Sequence, residues 1–372
     1  MNTLTLYYGT NRGHLGSQRF SPTGYGPKFS GDGAENLRFG KVTMQVDQRT
    51  VQGCLNRKVS RLGAGDGESL ATYLAQRPMT ITAYPESLDP TRPDDLQPAK
   101  ILGSAALFAD LKTSMDGGAD VLVYIHGYNV SWVEAVAGAL ALQSMLNRQG
   151  RQDVVVVLFT WPSDGQMLPF TSYRSDRTDA KASGYAVGRA FLKFRDFLND
   201  LRGRVLQGQA KPCSQNVHLL CHSMGNYVLQ NAIERVAEFC PGTMPRIFTH
   251  AFLCAADVDD NVLEPEQPLG RLDEICGSIE VYTNGGDLAL KGSDYTKGNA
   301  DRLGTAGPAR PTQVHTKIQH IDCSDLVGGI LEHSYYLGGK ANMDIAMTIT
   351  KLPTVAPGRP RKQVNERRWR LA

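Results

Sequence analysis

Several absences bound this chain before any motif is considered. No apolar run approaches the roughly 20 residues that span a bilayer, so a membrane-spanning helix is not expected. The first residues, Met1 to Leu6, lack a basic start, an adequate apolar stretch and a small-residue cleavage site, so no secretory leader is expected. There is no C-x-x-C, no H-E-x-x-H and no clustered His/Asp pattern, which argues against a metal and calls for no cofactor. Neither sign of charge dominates: 40 Lys and Arg face 37 Asp and Glu, for a net charge of +3. No internal repeat is visible. The seven cysteines are an odd number, and Cys221 and Cys254 fall in strand-like runs, so reduced thiols in a cytoplasm are expected over a disulfide framework.

What is present is concentrated in residues 216–226. An apolar run from Val217 to Leu220 leads into Cys221-His222-Ser223-Met224-Gly225, and an amphipathic helix pattern covers Tyr227 to Val236. This is the strand–nucleophile–helix context of a G-x-S-x-G elbow, with Cys221 in place of the first glycine. The residues two before and two after the nucleophile must be small, because strand and helix approach each other there. The turn lifts the Ser223 hydroxyl clear of the sheet and aims the Met224 N–H at a developing oxyanion. The plainer reading of such a serine is a helix N-cap.

An elbow of this kind requires an upstream oxyanion loop and a downstream acid and base. Asp120 to Ile125 reads as a buried strand ending in His126-Gly127-Tyr128-Asn129, followed by a helix pattern from about Ser131. Gly127 lets the backbone approach a substrate carbonyl and Tyr128 presents the second N–H; alternatively Gly127 simply serves a strand-to-helix turn. Ser278 to Thr283 reads as a further strand, and Asp287 follows its end. The run Thr316 to Ile321 leads by a loop to His333. The order Ser223…Asp287…His333 is that of the α/β hydrolases, with His333 as base and Asp287 holding its tautomer.

Rivals remain for each role. Asp257 and Asp259 follow the strand ending at Cys254 and are alternative acids; otherwise Asp257 braces the loop beside the nucleophile. His222 adjoins Ser223 but points elsewhere on a tight turn and reads as a packing histidine. His315 and His320 lie in or near the last strand rather than beyond its end, where the base must sit.

These pieces resemble the domain-of-unknown-function 900 family of α/β hydrolases. The resemblance rests on Tyr7-Tyr8-Gly9-Thr10-Asn11-Arg12, Leu37-Arg38-Phe39-Gly40, Ile125 to Asn129, Trp161-Pro162-Ser163-Asp164-Gly165, His222 to Gly225, Ala255 to Asp259, and His333-Ser334-Tyr335. It implies an α/β-hydrolase fold and hydrolytic chemistry, without a physiological substrate. Cys221, where the family more often has alanine, the stretch Arg57–Gln76 and a basic C-terminal segment depart from its pattern.

Strand and helix runs alternate from residue 99 onward (helix 99–115, strand 120–126, helix 131–148, strand 153–160, helix 174–203, and so on). This predicts a mostly parallel, doubly wound sheet with an antiparallel N-terminal start at Leu4–Tyr8 and Lys41–Val46. The expected organisation is an N-terminal extension packed on the core (1–98, with 53–98 mostly loop and a helix near Ser69–Gln76), a catalytic core (99–350) and a basic tail (351–372). Residues 162–184, with Tyr173, Asp176 and Ser183, read as a helix cap or a pocket border. Residues 296–313 read as a lid or a mobile loop. The tail carries seven basic residues against Glu366 and is expected to be a solvated, disordered terminus, with an anionic membrane surface or nucleic acid as alternative partners.

The function these features predict is a serine hydrolase acting on carboxylic esters of small molecules or lipids. The alternatives are a thioesterase or acyltransferase using the same triad, and a non-catalytic member of the fold serving as a binding or scaffold protein.

Overall fold

The valine-rich runs at 121–125 and 154–159 set the architecture, because strands this uniformly apolar must be covered on both faces. A computed structural model describes residues 2–86, 103–163, 169–290, 301–327 and 333–372. The first four residues of the expected helix at 99–115 and residues 296–300 of the expected lid lie outside the described residues.

The chain begins with β1 (Asn2–Thr10), a hairpin of β2 (Arg12–Leu15) and β3 (Gly24–Phe29), and β4 (Arg38–Val46). Helix α1 (Gln48–Asn56), the two-residue pair β5 (Lys58–Val59) and β6 (Gly63–Ala64), α2 (Gly67–Ala75) and β7 (Met79–Ala83) follow. Next come α3 (Gly103–Asp116), β8 (Asp120–Ile125), α4 (Trp132–Asn147), β9 (Val154–Thr160), α5 (Pro169–Leu206), β10 (Val217–His222) and α6 (Gly225–Phe239). The last part holds β11 (Phe248–Cys254), α7 (Leu272–Ile275), β12 (Cys276–Thr283), α8 (Leu303–Ala306), β13 (Ile318–Asp322), α9 (Gly339–Ile349), β14 (Arg361–Gln363) and β15 (Arg368–Leu371).

Eleven strands form one sheet in the order β14-β15-β13-β12-β11-β10-β8-β9-β1-β4-β7. From β15 to β1 all neighbours run parallel, and the antiparallel pairs β14–β15, β1–β4 and β4–β7 lie at its two edges. Alternation along each strand divides the core. Leu122 and Tyr124 of β8 pack with α2, α4 and α9, whereas Val121 and Ile125 pack with α3, α5 and α6. Helix starts follow local chemistry: Asp47 and Asp66 accept backbone N–H groups at α1 and α2, and Ser131 with Glu134 forms a capping box at α4.

The ends of the chain depart in part from expectation. At the N-terminal end β1 and β4 give the expected antiparallel start to the sheet, and β7 extends that edge by one strand more. The stretch from 53 contains a second helix, α1, and a short hairpin besides the expected one. The C-terminal segment is not a disordered tail. Trp369 and Leu371 are buried in β15, and β15 pairs with β13 in register Ile321↔Trp369. Arg361 donates to Asp344 at 2.7 Å and to Glu280 at 2.8 Å, and Arg359 donates to the same Asp344 at 2.9 Å. The Arg-Trp-Arg-Leu alternation is a strand pattern of period two, short enough for its charges to mask it.

Candidate active site

Strand β10 delivers Ser223 at its C-terminal end, and α6 begins two residues later. Ser223 sits at φ 52°, a left-handed conformation that costs a non-glycine residue about 1–3 kcal/mol. The surroundings hold it there. Its N–H donates to the Cys254 carbonyl at 3.0 Å, and its carbonyl accepts from the N–H of Asn226 (3.0 Å), the Asn226 side chain (3.1 Å) and the Asp257 N–H (3.2 Å). Gly225 is required by crowding: a Cβ there would lie 2.5 Å from the Ile125 carbonyl oxygen and 2.7 Å from that of His126. Cys221 stands in the first glycine's place within β10, fully buried, and burial pushes its thiol pKa well up.

The loop after β8 packs directly on the serine. A Cβ on Gly127 would come within 2.8 Å of Ser223 Cβ. His126 is buried and its pKa is pushed down to about 3, chiefly by burial and then by Arg12. Its Nε2 lies 2.9 Å from Thr160 Oγ1 and accepts the Trp161 N–H at 3.3 Å, so the neutral ring carries its proton on Nδ1, 2.7 Å from the Gly127 carbonyl. Farther along, the Asn129 N–H donates to Asp176 (3.0 Å) and the Val130 N–H to Ser163 Oγ (3.1 Å), whose hydroxyl donates to the same Asp176 carboxylate (2.7 Å). The Val130 carbonyl accepts from Arg12 at 2.6 Å, and Arg12 also donates to Thr160 Oγ1 at 2.9 Å. Tyr128 is half-buried and meets Tyr173 edge to face with ring centroids 5.8 Å apart. Met224 is fully buried and opens α6.

His333 Nδ1 lies 2.6 Å from Asp287 Oδ2. The second oxygen of Asp287 accepts the N–H groups of Ala289 (3.0 Å) and Leu290 (3.2 Å), which fixes the carboxylate's orientation. A proton on Nδ1 leaves the His333 Nε2 lone pair free to accept. His222, adjacent to Ser223, donates from Nε2 to the His333 carbonyl at 3.2 Å, and its ring lies 4.7 Å from that of His333 and 4.7 Å from that of Tyr336. Burial and the neighbouring His333 hold its pKa well below the ordinary histidine value. Beyond His333, the Tyr335 hydroxyl donates to the Tyr282 carbonyl (2.7 Å) and accepts the Ala255 N–H (3.0 Å), and Tyr336 meets Tyr124 hydroxyl to hydroxyl at 2.7 Å.

Asp287 is therefore the carboxylate on His333, and the two alternative acids are engaged elsewhere. Asp257 accepts from the Tyr173 hydroxyl at 2.7 Å and faces Arg302 at 3.6 Å, while its N–H supports the elbow. Asp259, half-exposed, pairs with Arg302. His320 lies within β13, bonded to Thr283 Oγ1 at 2.8 Å with its pKa pushed down to about 4 by burial, and His315 faces Asp273. Among the described residues no group of three or more His, Cys, Asp or Glu could hold a metal ion.

Tyr173, Asp176 and Ser183 are expected from sequence as a helix cap or pocket border. All three lie inside α5 as braces, Ser183 accepting from Asn11 at 3.0 Å. The Thr10-Asn11-Arg12 motif was visible in the sequence, but its use as a strut of the Gly127 loop was not.

The sheet order and the strand–Ser223–helix elbow at its centre define an α/β hydrolase. More narrowly, the chain belongs to the α/β hydrolase family of unknown function (DUF900), which matches residues 104–349. No curated protein matches it. Among solved structures, EstE1, a thermophilic carboxylesterase from a metagenomic library, is 13% identical with a TM-score of 0.29, covering 63% of this chain and 79% of that one. The phospholipase PlaB of Legionella pneumophila is 14% identical with a TM-score of 0.23, covering 55% and 37%. No described helix is long and apolar enough to cross a membrane.

Proposed function

We propose that this protein is a serine hydrolase that cleaves carboxylic esters of small molecules or lipids through an acyl-serine intermediate. The observation that carries the reading is the 2.6 Å bond from His333 to a backbone-anchored Asp287, beside a serine held at φ 52° on the elbow. Ser223 Oγ attacks the ester carbonyl as His333 Nε2 takes its proton. The tetrahedral oxyanion is met by the N–H groups of Met224 and Tyr128, with Gly127 allowing the approach. Collapse expels the alcohol, which leaves with the proton from His333. Water, deprotonated by the same nitrogen, then releases the carboxylic acid and restores Ser223. No step calls for a cofactor, and unpaired thiols at all seven cysteines are in keeping with a cytoplasmic setting.

The same groups serve a thioester or an acyl acceptor other than water, so leaving-group chemistry separates these readings. A fluorophosphonate probe is expected to label the wild type and not Ser223→Ala, and p-nitrophenyl esters of rising chain length then rank acyl preference. A wild type that takes no label and turns over no ester or thioester is a non-catalytic member of the fold.

A further inference from the structure

At the opposite end of the sheet from Ser223 lies an apolar cavity that the hydrolytic chemistry does not use. Its volume is about 360 Å³. Helix α3 supplies Phe108 and Leu111, α5 supplies Phe194, Phe197 and Leu201, and Val217 at the start of β10 forms part of the floor. The three phenylalanines pack on one another, Phe108 lying 5.3 Å from Phe194 and 5.2 Å from Phe197. A second void of about 80 Å³ shares Phe108, Leu111, Phe194 and Val217 and continues beneath the sheet. Val217 and Ser223 are separated by the full length of β10, which at about 3.3 Å per residue is roughly 20 Å.

Charge at this cavity has one sign. Lys112 of α3 and Arg202 of α5 line it, and no acidic residue does. Lys112 is paired with Asp116 one turn on, whereas Arg202 is exposed and has no acidic partner among the described residues. A carbon-walled hole with a guanidinium beside it selects a ligand with an apolar tail and an anionic head. A volume at the lower end of the roughly 300–1,000 Å³ range of ligand pockets suits one saturated chain rather than two.

We infer that this cavity is a binding site for a single-chain aliphatic carboxylate of about ten carbons, its tail among the phenylalanines and its head at Arg202. The inference does not depend on Ser223 being a nucleophile, because the site shares no residue with Gly127, Tyr128, Ser223, Met224, Asp287 or His333.

The test uses the full chain and 11-(dansylamino)undecanoate as a fluorescent probe. One saturable site is expected, with decanoate displacing the probe and decyltrimethylammonium failing to do so. Arg202→Glu is expected to weaken decanoate about tenfold and Arg202→Lys much less, with p-nitrophenyl acetate turnover unchanged in both. Met115→Trp, which places an indole in the cavity, is expected to abolish probe binding in a protein of unchanged circular dichroism. Equal displacement by the cationic amphiphile, or decanoate affinity indifferent to both Arg202→Glu and Met115→Trp, overturns the inference. So does a dimer in light scattering that Arg202→Glu dissociates while no probe binds, since the face then serves a second copy of the chain.

Discussion

Two buried charge clusters sit on opposite flanks of the sheet and do different work. Beside the elbow, Asp257 receives the Tyr173 hydroxyl, faces Arg302 and lends its N–H to the Ser223 carbonyl. At the C-terminal edge, Arg361 and Arg359 converge on Asp344, with Glu280 and the Tyr282 hydroxyl completing the group. The first cluster fixes the backbone of the Ser223 turn; the second fastens a strand pair at the sheet edge. Burial of charge is thus no signature of a site by itself. What distinguishes the elbow is that its hydrogen bonds end on a strained residue and on the loop facing it.

The comparison breaks first at the serine. Ser223→Ala is expected to reduce kcat for ester hydrolysis by about 10⁴–10⁶ without moving Tm; retained turnover in a clean preparation removes Ser223 from the chemistry. Asp287→Asn should cost about 10⁴ in kcat, as loss of a tautomer-setting carboxylate does in serine proteases, whereas Asp257→Asn should cost far less. The reverse ranking would hand the acid's role to the elbow cluster.

The other flank answers in stability. Arg361→Ala leaves Asp344 and Glu280 buried with one cation fewer, and about 3–5 kcal/mol of stability should go with it. Denaturant unfolding measures this, while kcat on small esters in the cold stays near wild type. Deleting 353–372 should be at least as damaging, and a truncated protein with unchanged Tm would contradict the sheet order described above. Asp176→Asn lies between the two flanks: it weakens one acceptor shared by the Asn129 N–H and Ser163, so kcat/KM should fall by about 10–100-fold, with about 1–3 kcal/mol lost in stability.

A further expectation concerns pH dependence, which tests the buried histidines instead of either flank. His126 and His250 have pKa values pushed down to about 3 and His320 to about 4, in each case chiefly by burial. The unfolded chain therefore takes up these protons first, near pH 6.5, and the folded chain does not. Stability from keeping them neutral is complete above about pH 6.5 and is lost as pH falls toward 4. Tm should drop between pH 7 and pH 5, before carboxylates with lowered pKa such as Asp120 and Asp322 begin to protonate. A level Tm over that interval rules this out.

Much of the site could be read from the sequence because its parts are local. Strand, serine, glycine and helix of the elbow occupy the single continuous stretch Val217–Phe239, and parallel strands buried on both faces write themselves as apolar runs. The pairing of Asp287 with His333 is legible because each follows a recognisable strand. The supports were hidden because their partners are distant: Arg12 meets Val130, and Asp176 meets Asn129, across 118 and 47 residues of chain. The C-terminal strands are hidden in the sequence for another reason. Trp369 and Leu371 carry the apolar pattern in a segment whose arginines look solvated until Glu280 and Asp344 are placed opposite them.

Synthesis of the chain runs from its N-terminus, so Glu280 and Asp344 leave the ribosome before either arginine that neutralises them. It is β15 that pairs the backbone edge of β13, and Arg361 that faces both Glu280 and Asp344. The Ser223 turn, the loop after β8 and the Asp287–His333 pair all precede in the chain the arginines that close this edge. Closure of this edge rests on basic residues that touch neither Ser223 nor the Asp287–His333 pair.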